Sequence, residues 1–122
     1  MPQSRTVRKT VAWRDADEAD CQHASQALEV VGQRWSPSIL LAMARGAERF
    51  TDISRAVSGI SARMLTVRLK QLETANIVER TVVPTTPVTV RYGLTPRGVD
   101  LVNALQPIGA FVRRWGAGLP LE

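Results

Sequence analysis

The stretch from Gly59 to Leu94, GISARMLTVRLKQLETANIVERTVVPTTPVTVRYGL, constrains the fold more than any other part of the chain. Ser61 stands at an N-cap position, where a side-chain oxygen takes up one of the orphan backbone N–H groups, and helix-forming residues run from it to Ala75. Asn76 tolerates the left-handed backbone that ends a helix. At about 100° per residue, Leu65, Leu69 and Leu72 fall on one stripe, with Ser61 and Arg68 at its margin, so this stripe is the expected buried face. Beyond the helix, the runs from Val78 to Val83 and from Val88 to Leu94 are rich in β-branched residues and flank Pro84-Thr85-Thr86-Pro87. That pattern predicts a β-hairpin with the Pro-Thr-Thr-Pro segment at its tip.

Arg63, Thr66, Val67 and Lys70 project together on the side opposite the leucines. Two cations, a hydroxyl and a small apolar group suit the DNA major groove, where Arg or Lys meets guanine and a methyl meets the methyl of thymine. The expected DNA-contacting surface consists of these four, Ser61 and Ala62 at the helix start, and Arg80, Thr85, Thr86 and Arg91 on the hairpin. The tip itself carries no Arg or Lys, so cations reach the backbone only from the strands, while Thr85 and Thr86 offer hydroxyls to phosphate.

Upstream, Thr51 reads as the cap of a brief helix with Ile53, Ala56 and Val57 facing inward, and Ser58-Gly59 turns the chain into the Ser61 helix. Two short helices across a glycine-containing turn form a helix-turn-helix, and the hairpin that follows makes it a winged one. Before it, Glu48-Arg49-Phe50 reads as a short strand. Ser36-Pro37 reads as cap plus first-turn proline of a helix with Ile39, Leu40, Leu41 and Met43 on its apolar face, closed by Gly46. Trp35 is expected as a core anchor. An earlier helix starts near Asp20, carries Cys21, Ala24, Leu28 and Val31, and ends at Gly32. Being short, it must dock on its own domain or on a second subunit.

After the hairpin, Thr95-Pro96 opens a long helix towards Trp115. In it Leu101, Leu105, Ile108, Val112 and Trp115 recur at spacings of four, three, four and three, the pattern of a seam between helices. Pro107 is expected to interrupt and kink it. The fold class is therefore mainly α with a small β-hairpin (α+β), a winged helix-turn-helix dimerising through its terminal helices. A flexible arm over residues 1–19 precedes a domain over 20–122, whose dimerisation helix spans about 96–116.

The formal net charge of +5 is unevenly placed. Residues 1–20 hold four cations and four anions, so the whole excess sits in residues 21–122, where eleven arginines and Lys70 face seven carboxylates. Arginine offers a planar fork for phosphate or guanine, and a positive surface raises the odds of a polyanionic partner. No apolar run approaches the ~20 residues that span a bilayer, and the N-terminal segment lacks the apolar core of an export signal. One cysteine permits no internal disulfide, as expected of a cytoplasmic protein.

Enzyme chemistry is not expected. Cys21 and His23 are two residues apart and point to different sides of a helix, and the chain has no phosphate-binding glycine loop, no metal-ligand cluster and no sign of a cofactor site. The competing reading is a winged helix used for protein contacts alone, since fold does not set function. The basic face of the Ser61 helix favours DNA.

Taken in order, Cys21, Leu28-x-x-x-Gly32-x-x-Trp35, the Ile39-Leu40 helix and Arg49-Phe50-x-x-Ile53 form one half of a pattern. Gly59-Ile60-Ser61-x-Arg63-x-Leu65-Thr66-x-x-Leu69-Lys70-x-Leu72-Glu73, Tyr92-x-Leu94-Thr95 and Gly98 form the other. With this set the chain resembles the HxlR-type winged helix-turn-helix regulators, bacterial transcription factors of MarR-like architecture. The resemblance implies a homodimer on an inverted-repeat operator of double-stranded DNA, acting by repression and responding to a small molecule or a redox signal. The dimer interface would take in Leu28, Leu101, Leu105, Ile108, Val112 and Trp115, and an effector would bind between the dimer helices and the DNA-binding lobe. Cys21 is the candidate redox sensor, with a structural role as the alternative. Gln22 departs from the proline usual after that cysteine, and Arg91 from the acidic residue usual before the hairpin tyrosine.

Overall fold

The computed structural model describes residues 15–116. The expected arm over residues 1–19 falls largely outside the described residues, which begin at Asp15, and residues 117–122 lie outside them too.

Two compact units divide the chain, Met1–Arg34 and Trp35–Glu122. The first contains α1, Glu18–Val31. Its N-cap is Asp17, which corrects the expectation of Asp20. The Asp17 carboxylate accepts from the Asp20 N–H at 3.0 Å, and the Asp20 carboxylate accepts from the Asp17 N–H at 3.0 Å. Each satisfies an orphan donor of the other, so the helix opens earlier than a cap at Asp20 allows. Cys21 then lies past the orphan N–H groups, its own N–H bonded to the Asp17 carbonyl. Gly32 ends the helix as expected. No residue of α1 is buried, and Leu28 is strongly exposed.

The second unit runs α2 (Ser36–Ala44), α3 (Phe50–Ala56), α4 (Ala62–Thr74), β1 (Val78–Val83), β2 (Thr89–Leu94) and α5 (Pro96–Trp115). Its core joins Ile39, Leu40 and Met43 of α2, Ile53 of α3, Leu65, Leu69 and Leu72 of α4, Val57 after α3, and Ile77 and Val78 at the start of the hairpin. The predicted leucine stripe is fully buried, each member contributing about 1.5–3 kcal/mol of apolar burial. Two inward assignments are corrected. Leu41 and Ala56 are exposed, and Ala42 is buried where Leu41 was expected, because α2 turns a narrower face to the core than its continuous apolar run suggests.

Helix ends follow local chemistry, with two corrections at the starts. Ser36 is the first residue of α2 and is buried; Trp35, at φ 80°, holds the cap position, and its side chain does not cap the helix. Arg49, not Thr51, precedes α3, again with no side-chain cap. At the other ends, Gly46 (φ 111°) and Asn76 (φ 61°) take the left-handed conformation that closes α2 and α4. The Asn76 N–H bonds to the Glu73 carbonyl and the Ile77 N–H to the Leu72 carbonyl, both at 2.9 Å, which satisfies carbonyls otherwise orphaned.

The strands pair antiparallel in a register from Val78 opposite Leu94 to Val83 opposite Thr89. Glu48-Arg49-Phe50 is not a strand. It keeps one sheet-like link, the Tyr92 N–H to the Glu48 carbonyl at 2.7 Å. The expected interruption at Pro107 does not occur: α5 runs unbroken from Pro96 to Trp115. No helix among the described residues is long and apolar enough to cross a membrane.

Candidate nucleic-acid interface

The start of α4 is built for an anion. The Ser61 hydroxyl accepts from the Met64 N–H at 3.0 Å, which leaves the N–H groups of Ala62 and Arg63, at the first two helical positions, without intrahelical acceptors. Open N–H groups at the positive end of the helix dipole match a backbone phosphate. Arg63, Thr66, Val67 and Lys70 are all exposed, on the side turned away from the buried leucines. Neither Arg63 nor Lys70 joins an ion pair with a described residue. The Thr66 hydroxyl donates to the Ala62 carbonyl at 2.9 Å, and that of Thr74, which shares this face and was missed in the sequence, donates to the Lys70 carbonyl at 3.0 Å. Arg68, at the stripe's margin, holds the side-chain carbonyl of Gln71 at 3.0 Å.

The hairpin separates its two cations. Arg80 is opposite Tyr92 and Thr81 is opposite Arg91, so Arg80 and Arg91 point to opposite faces of the ribbon. Arg91 forms an ion pair with Glu48, on the segment between α2 and α3, with the two side chains 45% and 55% exposed. Glu48 thus holds β2 twice, through its carboxylate and through its carbonyl. No sequence signal marks that pair, which joins residues 43 apart. At the tip, the Thr85 hydroxyl donates to the Pro87 carbonyl at 2.7 Å and lies 3.1 Å from the Thr89 hydroxyl. A phosphate contact from Thr85 requires the first of these to break. Thr86 is exposed.

The end of α4 is tied to the start of α5. Thr95 caps α5, its hydroxyl accepting from the Gly98 N–H at 3.0 Å and donating to the Asn76 carbonyl at 2.7 Å. The Thr95 N–H bonds to the Ile77 carbonyl at 3.0 Å, and Arg97 reaches the Ala75 carbonyl at 3.2 Å. Three consecutive carbonyls after the last turn of α4 are therefore held by α5. Thr95 was legible only as a cap; its second role needs carbonyls 18 and 19 residues away.

Along α5 the expected seam is uneven. Leu101, Leu105 and Val112 are half-buried, whereas Ile108 is 51% and Trp115 65% exposed, with exposed Phe111 beside them. Leu105 also lines a cavity of about 340 Å³ between α2 and α5, together with Leu41, Val102, Gln106 and Arg113. Cys21 is exposed, and the described residues include no group of three or more His, Cys, Asp or Glu placed to hold a metal ion.

Residues 30–118 match the model of the HxlR-like helix-turn-helix family. The chain belongs to that family. The HxlR-like chain is 40% identical over 91 residues to the HTH-type transcriptional regulator YodB of Bacillus subtilis (strain 168), covering 75% of this chain and 81% of YodB. It is 35% identical over 95 residues to the uncharacterised regulator YvaP of the same strain, covering 78% and 88%. The structure of diamide-treated YodB superposes with a TM-score of 0.67 at 39% identity, covering 74% of this chain and 89% of that one. A transcriptional regulator of the MarR family from Enterococcus faecalis V583 superposes at 0.75 and 28% identity, covering 84% and 92%. The HxlR-like fold of this chain is a winged helix-turn-helix, mainly α with one antiparallel hairpin.

Proposed function

We propose that this HxlR-like chain is a cytoplasmic, sequence-specific double-stranded DNA-binding repressor that acts as a homodimer on an inverted repeat. The observation that carries the reading is α4, whose leucines are buried while Arg63, Thr66, Val67 and Lys70 stand exposed beside an open helix start. In the groove, Arg63 and Lys70 meet base edges or phosphate, and Ser61, Ala62, Arg80 and Thr86 meet the backbone. Selection from a random duplex pool with excess competitor DNA tests it. A palindromic consensus is expected, and recovery of no sequence above background would refute the reading.

The dimer rests on Ile108, Phe111 and Trp115, uncovered apolar residues of α5, with the half-buried Leu101, Leu105 and Val112 of the same helix, and uncovered Leu28 of α1 adds a further apolar contact. Two-fold symmetry sets recognition helices about 34 Å apart. Ile108 is exposed in the single chain, so Ile108→Asp is expected to leave the fold intact while placing an unpaired charge in the seam. Light scattering should report a dimer for the wild type and a monomer for the variant at micromolar concentration; a monomeric wild type would refute the seam.

Glu48 restrains the wing. An exposed ion pair contributes at most about 1 kcal/mol, so Arg91 exchanges Glu48 for phosphate at small cost. Glu48→Gln is expected to raise affinity for all sequences alike, whereas Arg91→Ala is expected to lower it for all alike and to flatten the slope of log K against log salt by about 0.9 per subunit. A slope unchanged from wild type would place Arg91 away from the DNA backbone.

The signal enters either at Cys21 or at the cavity beside Leu105. Diamide oxidises thiols, and a diamide-treated form of the relative YodB has been solved. With one thiol in the chain, oxidation of Cys21 gives a disulfide across the dimer or a mixed disulfide with a small thiol. Operator affinity of wild type is expected to fall with diamide and that of Cys21→Ser to stay constant. An unresponsive wild type assigns Cys21 a structural role and leaves the α2–α5 cavity as the effector site.

A further inference from the structure

The middle of the recognition face presents methyl groups with no free hydrogen-bond donor. Thr66 looks in sequence like a hydroxyl offered to the groove. In the structure its single hydroxyl hydrogen is engaged by the Ala62 carbonyl one turn back, at 2.9 Å. Thr74 is bonded in the same way to Lys70. Thr66 therefore keeps a methyl and acceptor lone pairs, but no donor for the N7 or O6 of a purine. Beside it, Val67 is 39% exposed, a branched apolar side chain held in water on a helix whose burial needs are met by the three leucines. Arg63 and Lys70 lie four residues before and three residues after Val67 on the same face. They hold the polyanion on either side of an apolar centre.

We propose that Val67 is a specificity-determining residue that reads the 5-methyl group of a pyrimidine in the major groove, with the methyl of Thr66 completing the apolar contact. The inference rests on the DNA-binding reading of α4. Thymine and 5-methylcytosine both carry this group, and no other major-groove feature of a base pair is a methyl group. A β-branched side chain has one dominant χ1 rotamer in a helix, so Val67 meets the groove with its two methyls already fixed.

The experiment uses the full chain and the duplex recovered from the random pool. Each thymine of one half-site is replaced singly by uracil, and in a second arm each cytosine by 5-methylcytosine. Base pairing is unchanged in both arms. At one thymine per half-site, uracil is expected to weaken wild-type binding about 3- to 5-fold, the effect of one buried methyl, and about 10- to 25-fold when both half-sites are changed. Val67→Ala is expected to bind the thymine and uracil duplexes equally, while Arg63→Ala retains the discrimination at lower affinity. Gain of affinity in the second arm without loss in the first assigns the contact to 5-methylcytosine. Equal wild-type binding in both arms overturns the methyl reading and leaves the DNA-binding one standing, as does discrimination that survives in Val67→Ala. Failure to recover any duplex overturns both.

Discussion

Gly98→Ala is expected to lower the melting temperature by roughly 10 °C or more, through a loss of about 3 kcal/mol, well beyond the usual effect of adding one methyl to a helix. A Cβ at this position would stand 2.1 Å from the Ile77 carbonyl oxygen and 3.2 Å from both the Ile77 carbonyl carbon and a methyl of Leu94. Backbone atoms cannot swing aside as a long side chain can, so α5 must back away from the turn after α4. That movement also strains the bonds of Thr95 to Asn76, Ile77 and Gly98, each capping or joining one helix to the other. Gly109 supplies the internal control, since a Cβ added there, in the same helix, would meet nothing within 4 Å. Gly109→Ala is expected to stabilise by about 0.5–1 kcal/mol through backbone entropy alone. Thermal unfolding followed by circular dichroism separates the two. Equal, small shifts would mean that the α4–α5 contact is looser than the 2.1 Å approach requires.

Arg63→Ala is expected to weaken operator binding by about 1–3 kcal/mol per half-site, or about 2–6 kcal/mol for the symmetric site, which is roughly 30- to 25,000-fold. Arg63 is exposed at the second position of α4, without an ion pair among the described residues, beside the open N–H groups at the helix start. Its fork is thus available for the O6 and N7 of a guanine. The loss should be confined to sequences carrying that guanine, and the variant should tolerate other bases there. If all duplexes, random competitor included, weaken alike and the salt dependence flattens, Arg63 grips phosphate and base reading passes to Thr66, Val67 and Lys70. Thermal stability should be unchanged in either case, since Arg63 takes no part in the core.

Most of the recognition helix is legible in the sequence. Ser61 as cap, the Leu65, Leu69 and Leu72 stripe and Asn76 as the left-handed stop all depend on neighbours within a turn or two, so the signals lie within a short window. The hairpin is legible for the same reason, from β-branched runs around a Pro-Thr-Thr-Pro tip, with only its second strand starting one residue later than expected. Where local signals compete, expectation and structure part. Asp17 and Asp20 are both good caps, and the reciprocal box selects the earlier one. Ser36 resembles a cap ahead of proline, but it is buried as the first helical residue and Trp35 takes the cap position.

The sequence by itself thus determined the winged helix-turn-helix and the chemistry of its exposed face, because helix periodicity, capping and hairpin propensity are properties of contiguous residues. Tertiary structure alone decided what holds that face in place. Glu48 on Arg91 and Thr95 on the carbonyls of Asn76 and Ile77 join residues far apart in the chain, and Gly98 is required only because the Ile77 carbonyl arrives against it. The physical reason is that a hydrogen bond or a steric contact between distant residues leaves no periodic trace in the sequence. Each of these residues is ordinary in its own window, and its role appears only when the fold brings its partner within about 3 Å.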